Sequence, residues 1–178
     1  MHDSVTVHMS ASPDEVWDLL SDVTRIGSYS PETFEAEWLD GAKGPAVGAK
    51  FRGHVKRNGK GPTYWTTCVV TASVPGSEFS FDVVQGDRVM NTWGYRITGA
   101  DGGSDVTEYF RLPDTLPMKI YWGLLGWARG RTNREGMRTT LEAIRAEVEA
   151  LAKRSQAEEA RWDKEKARLE TALRRARG

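Results

Sequence analysis

The chain has 178 residues, 39% of them apolar before its 18 glycines are counted, which is enough for one domain with its own core and reads as an ordinary globular mixture, not a disordered or membrane one. Lys+Arg and Asp+Glu balance at 25 each, so no global basic field points to nucleic acid, and none is expected as a partner. A single cysteine, Cys68, excludes an intrachain disulfide. The N-terminus lacks the basic start and apolar run of a secretory signal, so a reducing, cytoplasmic setting is expected.

Val5, Val7 and Met9 alternate with Thr6 and His8, the period of a half-buried strand. Ser12 then opens a helix. It is placed to be the N-cap, Pro13 takes the first helical position, and Glu15 lies three residues on, as a capping box requires. Val16, Trp17, Leu19, Leu20 and Val23 supply its buried face. A helical turn over Arg25–Tyr29 ends at Ser30-Pro31, because a residue before proline avoids the helical region.

Phe34, Ala36 and Trp38 alternate with Glu35 and Glu37 in a second strand. Five further strand-like segments follow, Lys50–Lys56, Tyr64–Ser73, Glu78–Gln85, Val89–Thr98 and Asp105–Leu112. Turn-rich joints separate them, among them Pro75-Gly76, Gly86-Asp87 and Asp101-Gly102-Gly103, which implies antiparallel hairpins. Pro113 and Pro117 end the sheet. From Thr132 onward Met137, Leu141, Ile144, Val148 and Leu151 fall on one helical face. The expected fold class is therefore α+β. A curved antiparallel sheet of about seven strands wraps on a long C-terminal helix, with two short helices after the first strand.

This order, with Ser12–Asp22 and Pro31, Gly48–Gly53, Trp93-Gly94-Tyr95, Gly136-Met137 and Thr140–Glu142, resembles the START-like (SRPBCC) helix-grip superfamily, and within it the polyketide cyclase/dehydrase-like branch common in bacteria. The resemblance covers roughly residues 2–150. It implies a cavity between sheet and last helix, lined by apolar and aromatic groups. It implies no single activity, because members include lipid and sterol carriers, hormone receptors and cyclases.

Alternation puts Asn91, Trp93, Tyr95 and Ile97 on one face, and Val106, Glu108 and Phe110 on one face of the next strand. With the apolar sets inward, Glu108 is a carboxyl among apolar neighbours. Burial would raise its pKa and suit it to proton transfer or polar ligand contact; a salt bridge or a wet edge position are the structural alternatives. Glu108, Tyr95 and Asn91 are the catalytic candidates, if there is catalysis. The expected ligand-binding set is Phe34, Trp38, Phe51, Val55, Phe79, Phe81, Val83, Asn91, Trp93, Tyr95, Glu108, Phe110, Trp122, Met137, Leu141 and Ile144. His54 falls on the outer face of its strand, Cys68 reads as an apolar filler, and no histidine, cysteine or carboxylate set has metal-ligand spacing, so neither metal nor cofactor is expected.

Met118–Arg131, rich in tryptophan and glycine with flanking basic residues, reads as a turn or short helix covering the open end of the sheet. The alternative is a segment in contact with a membrane surface. Residues 1–152 are expected to form the ligand-binding domain, and 153–178 a charged helical extension that is either solvated or the contact of a homodimer. The function expected is non-catalytic binding of a small hydrophobic or amphipathic molecule, lipid- or polyketide-like. The alternatives are a cyclase, aromatase or dehydratase, and an interaction module acting through its tail.

Overall fold

The computed structural model describes residues 2–59, 61–113 and 116–176; the side chains of His2, Asn58, 116–132, 173, 174 and 176 are outside that description. Seven strands form one sheet: β1 (His2–Met9), β2 (Thr33–Trp38), β3 (Lys50–Val55), β4 (Tyr64–Val74), β5 (Glu78–Gln85), β6 (Arg88–Ala100) and β7 (Gly103–Arg111). Their order across the sheet is β1-β7-β6-β5-β4-β3-β2, and every pair is antiparallel. β1 and β2 are the two edges. The helices α1 (Pro13–Ser21) and α2 (Ile26–Tyr29) carry the chain from one edge to the other.

The local chemistry explains these elements. The Ser12 side chain accepts from the Glu15 N–H, Glu15 Oε2 accepts from the Ser12 N–H at 2.8 Å, and Pro13 stands in the first turn, so the N-terminus of α1 is capped reciprocally. Val16, Leu19 and Leu20 are completely buried against the sheet. In β6, Gly94 is required by packing. A Cβ there would lie 2.4 Å from the Tyr109 ring and 2.7 Å from Ser80 Cβ, so only glycine lets Tyr109 lie across the outer face and donate to Glu78 at 2.9 Å.

The last helix, α3, spans Leu116–Ala176 and begins well before the expected start at Thr132. Pro117, read from sequence as an end to the sheet, sits in the first turn of α3, where a missing N–H costs nothing. The glycines at 123, 126 and 130 do not interrupt the backbone, although each is about 1 kcal/mol poorer than alanine in a helix. Met137, Leu141, Ile144 and Val148 are buried in the core, as the periodicity predicts. Leu151 departs from it: it is 39% exposed, and Ala152 takes the buried position instead. Glu147 of α3 accepts from Arg25 and from the Ser28 hydroxyl, which ties α2 to the long helix. Among the described residues no helix is long and apolar enough to cross a membrane.

Candidate functional site

The strand registers lay the inner face out in rows. Trp38, Phe51, Cys68, Val83 and Asn91 form one row from β2 to β6. Val70, Phe81, Trp93, Phe110 and Asp3 form the next. Phe79, Tyr95, Glu108 and Val5 follow, and then Ile97, Val106 and Val7. The rings meet one another: Trp38 with Phe51 at 5.7 Å, Phe51 with Phe81 at 5.0 Å, and Trp93 with Phe110 at 4.6 Å between centroids. The result is an aromatic floor.

Cover over this floor is uneven. The rows of Phe79 and Ile97 are enclosed by α1, α2 and the buried face of α3. At the other end Trp38, Val83, Asn91 and Trp93 stay half-buried, as do Val55 and Thr66 beyond them. Glu108 lies on the boundary between the closed and the open part.

Glu108 is 4% exposed. Its Oε1 accepts from the Tyr95 hydroxyl at 3.3 Å, and its Oε2 is buried with no partner. Burial pushes its pKa up to about 8, against a smaller lowering by the Tyr95 hydrogen bond. The same burial, reinforced by the Glu108 charge, raises Tyr95 well above the usual phenol range. Tyr29 of α2, also buried, is raised by its own burial and then by the nearby Glu108. Two further oxygens share the condition of Glu108 Oε2: Asp3 Oδ2 and Asn91 Oδ1 are buried and unpartnered.

The sequence-predicted residues divide accordingly. Phe51, Phe79, Met137, Leu141 and Ile144 are fully enclosed core. Phe81, Tyr95, Glu108 and Phe110 are buried at the boundary, whereas Trp38, Val55, Val83, Asn91 and Trp93 border the open part. Phe34 is a correction: a register shift between Thr33 and Glu35 turns it outward, 47% exposed, with its ring 4.4 Å from that of His54. The side chain of Trp122 lies outside the described residues. Neither structural alternative for Glu108 is found, since it is no edge position and no described cation pairs with it. Cys68 is on the inner face, its thiol pushed up to about 12 by burial, while His54 is on the outer face beside Trp65, so the two cannot act together. Among the described residues no group of His, Cys, Asp or Glu could hold a metal ion. Sequence reading missed Tyr29 and Asp3. Asp3 shares the alternation of Val5 and Val7 and was legible as inward; Tyr29 sits in a single helical turn with no period to read.

A separate open groove of about 820 Å³ runs along β4 toward the β5–β6 turn. Lys50, Trp65, Thr67 and Asp87 line it together with Thr66 and Val83 from the sheet's open end, and Glu108, Tyr95 and Trp93 take no part in it.

A seven-stranded antiparallel sheet gripping a C-terminal helix, with a buried carboxyl on an aromatic inner face, defines a helix-grip protein. The chain belongs to the polyketide cyclase / dehydrase and lipid transport family, whose model matches residues 2–156. Solved structures agree with that fold. The Polyketide_cyc-like protein Cgl2372 from Corynebacterium glutamicum is 25% identical, with 85% of this chain and 93% of that one covered and a TM-score of 0.54. NE0264 from Nitrosomonas europaea is 12% identical, covering 86% and 96%, with a TM-score of 0.62. The AHSA1-like protein from Aeromonas hydrophila is 20% identical, covering 85% and 94%, with a TM-score of 0.53. Among curated proteins no match is found.

Proposed function

We propose that residues 1–152 bind one small amphipathic molecule, lipid- or polyketide-like, without transforming it. Its apolar body would rest on Phe81, Trp93 and Phe110, and its polar end would meet Glu108. The observation that carries this is Glu108 Oε2, buried and unpartnered where a half-covered aromatic floor begins. An unmatched buried polar oxygen costs about 1–3 kcal/mol, a cost that a ligand's polar group would remove. The family's description, which includes lipid transport, is consistent with this reading. The test is native mass spectrometry of the purified chain, followed by titration with the neutral dye Nile red. A retained small molecule, or saturable dye uptake weakened by Trp93→Ala, supports binding. A clean apo spectrum together with no saturable uptake overturns it.

One observation favours an enzyme as the second reading. A carboxyl held near pKa 8 beside a tyrosine hydroxyl is poised to exchange a proton at neutral pH. In that case Glu108→Gln abolishes turnover of a polyketide-like substrate while leaving its binding intact. The tail is a separate matter. Trp162 and Leu169, 70% and 60% exposed, favour a contact there with a second copy of the chain.

A further inference from the structure

Among the described residues the inner face carries Asp3 and Glu108 and no cation that reaches Glu108. The strand cations Lys50, Arg52, Arg96 and Arg111 all point to the outer face, where Arg52 lies over Trp65 and Arg96 and Arg111 flank Tyr109. Arg134 reaches Asp3 only at 3.5 Å, and Arg25 is committed to Glu147. No described lysine or arginine faces Glu108. Among the described residues the unpartnered buried side-chain atoms are three oxygens, and these lie on the inner face.

Resting on the binding role proposed above, we infer that the site selects a neutral amphiphile ending in a hydroxyl group and rejects anionic ones, with Glu108 as the specificity-determining residue. A hydroxyl head group satisfies Glu108 Oε2 in either protonation state. It donates to the carboxylate and accepts from the carboxylic acid. An anionic head meets the opposite situation. Its charge must be desolvated with no described cation beside Glu108 to pair it, and Asp3 on the same face adds a second acidic group. An ammonium head is disfavoured because Glu108 must first ionise inside the core to receive it.

The test is a matched series, decanol, decanoate and decylamine, titrated at neutral pH into the full chain and read by tryptophan fluorescence. Decanol is expected to bind at least tenfold more tightly than decanoate. Glu108→Gln, which removes the ionisable oxygen and keeps the shape, is expected to shrink that ratio severalfold. The wild-type ratio needs no variant to fold, and Asp3→Asn at the edge strand gives a second, smaller change in the same direction. Equal affinity for alcohol and carboxylate, a ratio that survives Glu108→Gln, or tighter binding of decylamine overturns the inference and leaves the binding role standing. Failure of all three ligands to bind overturns both.

Discussion

Sealing a carboxyl under protein ties folding to pH. In the unfolded chain Glu108 ionises near 4.5, and in the native state only near 8. Between those values the native state holds a proton that the unfolded state has released, so stability falls as pH rises through that window and levels off above it. The full change is on the order of 5 kcal/mol at about 1.4 kcal/mol per pH unit. Glu108→Gln removes the term. The variant is expected to match wild type in acid and to exceed it by several kcal/mol at pH 9. Urea denaturation of both proteins at pH 5 and pH 9 checks this, and a constant difference between them would contradict it. Glu108 was legible from alternation alone, because a residue between Val106 and Phe110 must share their face. Its free oxygen was not legible, since that depends on which side chains other elements bring beside it. Gly94 carries an opposite lesson. The motif Trp93-Gly94-Tyr95 was visible, but the reason for the glycine is a ring from the neighbouring strand. Gly94→Ala is expected to destabilise by about 1–3 kcal/mol by overpacking, with the midpoint of a urea melt as the readout.

At the level of elements, what the sequence shows well is what short-range chemistry determines. The capping box of α1 was readable as Ser12-Pro13-Asp14-Glu15 because its donors and acceptors all lie within four residues. Both carboxylate bonds hold Glu15 below the usual range, the Ser12 side-chain bond contributing most. Ser12→Ala removes the cap and is expected to cost about 1 kcal/mol, measured as a lowered denaturation midpoint with unchanged slope. The β2 bulge was not readable. Strict alternation would put Phe34 inside, but pairing with β3 shifts register after Thr33, and the ring instead packs on His54. That choice is made by a partner strand about twenty residues away. The start of α3 failed for another reason. Pro117 carries the same local meaning at the end of a strand and in the first turn of a helix, and only the continuing chain distinguishes the two.

At the scale of the molecule the strongest asymmetry is in α3, whose 61 residues extend roughly 90 Å at ~1.5 Å per residue. The face that buries Leu141 and Val148 continues, at the same seven-residue spacing, through Ser155 to Trp162 and Leu169, but beyond Ala152 every described side chain is exposed. The matched family region also ends near there, at residue 156. Burial of apolar surface is what stabilises a helix in a protein, so the segment after 156 adds little to the folding of the rest. Trp162 and Leu169, both exposed, are a cost in water unless something covers them. Removal of residues 157–178 is therefore expected to leave the denaturation midpoint of the sheet and α1 unchanged within about 0.5 kcal/mol. The same truncation separates the role of the tail from that of the proposed binding site. If Trp162 and Leu169 join two chains, light scattering falls from a dimer mass to a monomer mass on truncation while decanol binding is retained. If decanol binding is lost with the tail, the site is not contained in residues 1–152, and the division of the chain into a binding unit and an extension is wrong.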